Sequence, residues 1–315
     1  MKSIRLFLIC ILFFSPFFVS AKVEQFVDGS QFSGLNCETY TSLKLKRAVK
    51  YCVHRTRPDL VPLKGEPVIY FFHGINGGAA SWVDNGYAEA MEILSKEENF
   101  PSFTWVSFDT EAMSFFSDFQ SRTNGTQAYE TWFISEFIPF IENRFSLCDQ
   151  RACRMTAGVS MGGFGALKTA MRHPDLFSAS AANSPALAPF NAYESFDRWN
   201  QFFSRHPVGP VRGQLLLAQV KRVFPSFEVF DQNEVAILTE KLKNQSQFPK
   251  LYFDVGGKDY FGFQEGYFRF RDALLQNEIS HTAEYFPDGS HELFWERRWW
   301  LIRWVRDQVL TIENQ

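Results

Sequence analysis

Gly158-Val159-Ser160-Met161-Gly162 carries the pattern G-x-S-x-G. Arg154-Met155-Thr156-Ala157 ahead of it fits a short buried strand, and Phe164 to Met171 behind it is rich in helix formers. A serine between a strand and a helix in this pattern sits on a sharp turn that pushes its hydroxyl above the sheet edge. The flanking glycines are required because a tight bend leaves no room for side chains.

Working outward, strand-like and helix-like runs alternate. Two strand-like runs, Leu35–Ser42 and Ala48–His54, precede a Pro/Gly-rich turn. Val68-Ile69-Tyr70-Phe71-Phe72 is a continuous β-forming run of the kind buried on both faces. It ends in the glycine-rich loop His73-Gly74-Ile75-Asn76-Gly77-Gly78. A helix is expected over 87–96, a strand over 103–108, and a helix over 127–143 kinked by Pro139. Strand 154–158, helix 161–172 and strand 176–182 follow. Residues 184–248 carry helical pieces and no convincing strand, which makes them a helical insertion covering the site. Strand 250–255, a helix near 266–276, strand 281–286 and a Trp/Arg-rich helix near 292–310 complete the order. This alternation predicts an α/β fold with a mostly parallel central sheet and helices on both faces. The chain reads as a single domain over 22–315.

The 315 residues hold 32 Lys and Arg against 35 Asp and Glu, a net charge of −3, with no dense basic stretch. That balance argues against a nucleic-acid partner. Lys2 and Arg5 precede the apolar run Leu6–Val19, and Val19-Ser20-Ala21 fits a small-residue cleavage site. The run falls short of the roughly 20 apolar residues a membrane span needs. Residues 1–21 are therefore expected to be a signal peptide, giving a secreted or periplasmic chain with no membrane span in its mature form.

One of the five cysteines, Cys10, lies in that leader. The other four suit two disulfides in an oxidising compartment. Cys37 and Cys52 lie symmetrically about Lys44-Leu45, so a hairpin turning there sets them opposite each other, and Cys148 and Cys153 then close a short loop. The C-x4-C spacing has no nearby histidine and suits no metal. Asn124-Gly125-Thr126 and Asn244-Gln245-Ser246 fit the glycosylation pattern.

A serine hydroxyl is a weak nucleophile until a histidine takes its proton and an acid holds that histidine. In α/β-hydrolase folds these groups come in the order nucleophile, acid, histidine. His54 and His73 precede Ser160, and His173 lies just past the nucleophile helix. His206 is in the insertion, and His281 opens a strand. His291 lies in the turn-rich Pro287-Asp288-Gly289-Ser290-His291 after the last strand, which is where reacting groups belong. Asp259, beyond Gly256-Gly257, is the preferred acid, with Asp254 inside the strand in reserve. The oxyanion donors are expected to be the amides of Met161 and Ile75, with Asn76 second to Ile75. Phe115, Phe116 and Phe119 are candidates for an acyl pocket, with ordinary core packing as the other role open to them.

Four segments resemble the esterase D branch of the α/β-hydrolases. They are Val68–Gly78; Ser114-Phe115-Phe116-Ser117-Asp118 through Tyr129-Glu130-Thr131 and Phe137–Glu142; Gly158–Leu167; and Val255–Phe261 with Gly289-Ser290-His291. The branch includes S-formylglutathione hydrolases, feruloyl and acetylxylan esterases, siderophore esterases and mycolyltransferase antigens. The resemblance implies Ser160 as nucleophile, Asp259 as acid and His291 as base, with no cofactor. It implies a serine esterase acting on a small-molecule or sugar-linked ester. An acyltransferase using the same acyl-enzyme and a silent binding protein on the same scaffold are the competing readings. The segment before Val68 and the insertion resemble nothing assignable.

Overall fold

The computed structural model describes residues 32, 34–60, 65–121, 125–243, 247–292 and 295–313. The expected signal peptide and both candidate glycosylation asparagines, Asn124 and Asn244, lie outside these residues.

Strands β1 (Leu35–Ser42) and β2 (Arg47–Arg55) form an antiparallel hairpin in which Cys37 faces Cys52. Their Cα atoms are 4.1 Å apart and the pair is disulfide-bonded, as is Cys148 with Cys153. Next come β3 (Val68–Phe72), α1 (Ser81–Asp84), α2 (Tyr87–Leu94) and β4 (Thr104–Phe108). A small hairpin, β5 (Asp118–Ser121) with β6 (Gly125–Ala128), leads into α3 (Tyr129–Trp132) and α4 (Ile138–Phe145). After β7 (Arg154–Val159), α5 (Met161–Arg172) and β8 (Ala179–Asn183) come four helices without a described strand. These are α6 (Phe196–Ser204), α7 (Gly209–Val223), α8 (Phe227–Asp231) and α9 (Val235–Leu242). The chain continues through β9 (Lys250–Lys258), α10 (Phe263–Gln276), β10 (Thr282–Ser290) and α11 (Trp295–Glu313).

Eight strands form one sheet in the order β1-β2-β4-β3-β7-β8-β9-β10. The pairings from β4 to β10 are parallel, while β2 meets both β1 and β4 antiparallel. Successive strand side chains point to opposite faces. In β3, Val68, Tyr70 and Phe72 therefore join the core on one side of the sheet, and Ile69 and Phe71 join the core on the other. All five are buried, which explains an unbroken apolar run where a one-faced strand would alternate.

Three segments differ from the sequence-based expectation. The helix expected from Gln127 starts at Tyr129, because Gln127 pairs with Phe119 in the hairpin. The Asp118 carboxylate accepts the Thr131 amide at 3.0 Å and so tethers the first helical turn to that hairpin. Pro139 does not sit at a simple kink. It lies in the first turn of α4, directly after a π-helical turn at Phe133–Phe137. Proline has no N–H to continue the ladder and its ring crowds the preceding turn, and the wider turn accommodates both. Finally, β9 and β10 run past their expected ends, with Ser290 still in register with Lys258 after an irregularity. His291 is thus the first residue beyond a strand and follows no separate turn.

Caps fix the starts of three insertion helices. Ser195 accepts from the Arg198 amide, Ser226 from Val229 and Glu234 from Ile237. None of the described helices is long and apolar enough to cross a membrane.

Candidate active site

Ser160 is the residue between β7 and α5, with φ 57° and ψ −122°. That conformation lies outside the regions open to most L-residues and costs on the order of 1–3 kcal/mol. Three backbone bonds hold it. The Ser160 amide donates to Asn183 O at 3.0 Å, and Ser160 O accepts from Phe164 at 3.1 Å and Ala186 at 2.9 Å. The two glycines of the pattern are places of close approach. A Cβ on Gly162 would lie 1.9 Å from Phe72 O, and one on Gly158 would lie 2.3 Å from Gly162 O.

Asp259 follows β9, and His291 follows β10. Their crossing depends on Gly256, where a Cβ would lie 2.3 Å from Gly289 O. His291 Nδ1 is 2.8 Å from Asp259 Oδ2, and His291 Nε2 is 3.1 Å from Ser160 Oγ. The Asp259 side chain is fully buried, and its other oxygen accepts the Phe261 amide at 2.8 Å. The His291 ring packs edge-on against Phe261 and Phe263, at 4.7 and 5.4 Å between centroids. With Nδ1–H donated to Asp259, Nε2 is the acceptor for the serine hydroxyl.

Gly74 brings the glycine-rich loop against the serine, since a Cβ there would be 3.7 Å from Ser160 Cβ. The Asn76 amide donates to Ala112 O at 3.1 Å and is therefore committed. Among the described residues the amides of Ile75 and Met161 have no protein acceptor.

The remaining histidines are engaged elsewhere. His54 is buried beside Trp82, and burial pushes its imidazole down to about 4. His73 lies against Gly74 O and Thr110, His173 against Glu130, His206 against Glu265 and His281 against Ile279 O.

Asp254, the reserve acid, has a structural task. It is buried in an ion pair with Arg297 of α11 and accepts from Asn183 Nδ2 at 2.5 Å and the Ser184 amide at 3.0 Å. Arg297 also donates to Ser290 O at 2.9 Å and to Ser184 Oγ at 2.5 Å. One buried pair thus ties the residue before His291 to the loop behind Asn183, whose carbonyl holds Ser160. A second buried cluster supports the loop at 114–117. Lys168 Nζ donates to Phe116 O at 2.9 Å, Ser117 Oγ at 2.5 Å and Glu130 at 2.9 Å. Burial alone would raise the Glu130 carboxyl. Lys168, His173 and Arg172 outweigh burial and hold it well below the usual carboxylate range. Phe115 and Phe116 in this loop have φ of 48° and 51°, so the cluster fixes an otherwise unfavourable backbone.

An apolar pocket opens at Ser160, Met161 and Ile75. Phe115 lines it. Phe116 and Phe119, the other two candidates, do not. Phe116 packs among Phe72, Phe108 and His73, and Phe119 lies against Tyr129 beneath Arg222. Much of the opposite wall comes from α6 and α7 of the insertion, which was expected to cover the site although none of its residues was named as a candidate. Trp199, Phe202 and Phe203 fall at helical spacing on a strongly amphipathic segment. That pattern marks a buried face without saying what it faces.

A mostly parallel sheet with a serine on a strand-to-helix elbow, and an aspartate and a histidine beyond later strands, defines an α/β-hydrolase. The chain belongs to the Esterase family: the family profile described as "Putative esterase" matches residues 44–293. Esterase Rv1288 of Mycobacterium tuberculosis is 35% identical over 121 residues, covering 38% of this chain and 25% of that protein. The match thus spans a quarter of that relative's length. An acetyl esterase of Caldicellulosiruptor saccharolyticus is 25% identical over 248 residues, 73% of this chain and 79% of that one. The solved S-formylglutathione hydrolase of Agrobacterium tumefaciens shares the fold with a TM-score of 0.66 at 17% identity, covering 88% of this chain and 96% of its own.

Proposed function

We propose that this chain is an exported serine esterase, folded as one domain over 22–315, that hydrolyses carboxylic esters through an acyl-enzyme on Ser160. The observation that carries the reading is the continuous contact Ser160–His291–Asp259, with 3.1 and 2.8 Å between successive polar atoms. Ser160 Oγ attacks the ester carbonyl while its proton passes to His291 Nε2. Charge develops on the carbonyl oxygen, where the amides of Met161 and Ile75 receive it. The tetrahedral carbon then expels the alcohol, which leaves with the proton from Nε2. Water repeats the sequence on the acyl-enzyme, giving its proton to His291 and releasing the acid and Ser160. Asp259 keeps Nδ1 protonated and offsets the imidazolium charge. No step needs a metal or an organic cofactor. Two disulfides support export, since such bonds persist in oxidising compartments.

Hydrolysis of p-nitrophenyl acetate by the purified chain tests this reading. Asp259→Asn is expected to lower kcat by about 10²–10⁴-fold, because an amide can hold the imidazole in the wrong tautomer. Failure of the wild-type chain to hydrolyse any simple ester, or an Asp259→Asn variant of full activity, would contradict it.

A further inference from the structure

We propose that the pocket beside Ser160 takes an unbranched aliphatic acyl chain, and that the helices of the 184–248 insertion set this preference. The proposal rests on Ser160 being the residue that is acylated. The pocket opens at Ser160, Met161 and Ile75, so a carbonyl seated at the serine and the two amides already lies at its mouth. His291 Nε2 must hand its proton to the leaving alcohol, which places that oxygen on the imidazole side. Phe261 and Phe263, which flank the His291 ring, line the near wall, and the acyl substituent, turned away from Nε2, is assigned to the deeper space beyond them.

The walls are built for hydrocarbon. Phe115 and Phe164 come from the hydrolase core, Trp199 from α6 and Leu216 from α7. Phe224, also lining, packs on Phe115 and Phe164 at 5.7 and 6.2 Å between centroids and so joins insertion to core. The polar groups at the wall are committed. Trp199 Nε1 donates to Asn191 O at 3.2 Å. The Glu234 carboxylate accepts the Ile237 amide at 3.1 Å and pairs with Arg269 at 3.2 Å. A phenol or sugar hydroxyl drawn into this space would lose water and find no ready partner among these groups, a penalty that a methylene chain avoids.

The test compares p-nitrophenyl acetate, butyrate, hexanoate and octanoate on the full chain. The expected result is a rise in kcat/KM of about fourfold per added methylene until the pocket is full, equivalent to the ~0.8 kcal/mol of a buried CH₂. Leu216→Trp, which fills the wall, is expected to cut the octanoate-to-acetate ratio of kcat/KM at least about tenfold. The wild-type series decides the matter by itself if that variant fails to fold. Three results would overturn the proposal while leaving ester hydrolysis intact. These are a flat or falling acyl series, faster turnover of methyl ferulate than of methyl octanoate, and a rise with alcohol length from ethyl to octyl acetate in place of the acyl trend. Absence of turnover on every ester would instead remove the esterase reading beneath it.

Discussion

Ser160→Ala is expected to lower kcat for short nitrophenyl esters by on the order of 10⁴–10⁶-fold. The variant loses the hydroxyl that the proposed mechanism uses to attack the carbonyl at the mouth of the pocket. Its effect on stability should be small. The elbow is held by backbone bonds from Ser160 to Asn183, Phe164 and Ala186, none of which involves the hydroxyl. Alanine meets the same positive φ that serine already tolerates there. KM should change far less than kcat, because the acyl pocket and the two free amides survive. Steady-state kinetics, with thermal denaturation of both proteins as a control, separates lost chemistry from lost folding. A variant keeping a tenth of the wild-type rate would show that another group carries the reaction.

The second large effect concerns stability. Asp254→Asn is expected to cost about 3–5 kcal/mol, read as a lower denaturant midpoint. The charge of Arg297 would then remain buried without its counter-ion, since both side chains are essentially sealed from water. The pair also reaches Ser184 and Ser290, so kcat should fall as well, through displaced loops around the serine and the histidine. In a double-mutant cycle, Asp254→Asn with Arg297→Met should cost clearly less than the sum of the single changes, because neither charge is then left alone. Strict additivity would show that the pair is not the unit described here.

The parts legible in sequence are those that local chemistry dictates. The Gly-Val-Ser-Met-Gly pentapeptide announces its turn because both glycines are excluded from carrying a Cβ by backbone a few residues or one strand away. The run at 68–72 announces a buried parallel strand because both of its faces are apolar. Cys37 and Cys52 are readable because a hairpin imposes its own register. What escaped reading depends on long-range meetings. Arg297 looks like one of several arginines in a Trp-rich helix until Asp254, 43 residues earlier in the chain, supplies its partner. Lys168 looks like an ordinary helix lysine, yet it is buried beneath the 114–117 loop. Phe115, Phe116 and Phe119 are equivalent by composition, and only the folded packing separates Phe115, which lines the pocket, from Phe116 and Phe119, which pack elsewhere. The insertion was recognisable as helical from its periodicity. That it covers the site was expected, but which of its side chains form the wall was not legible, because amphipathic spacing names a buried face and not its neighbour.

Reaction with a fluorophosphonate, followed by mass mapping of the adduct, puts the activated serine to the most direct trial. The account predicts one covalent adduct, on Ser160, formed rapidly by the wild-type chain and much more slowly when His291 is changed to alanine. An unmodified Ser160 in a protein that still turns over esters, or an adduct on a different serine, would contradict it.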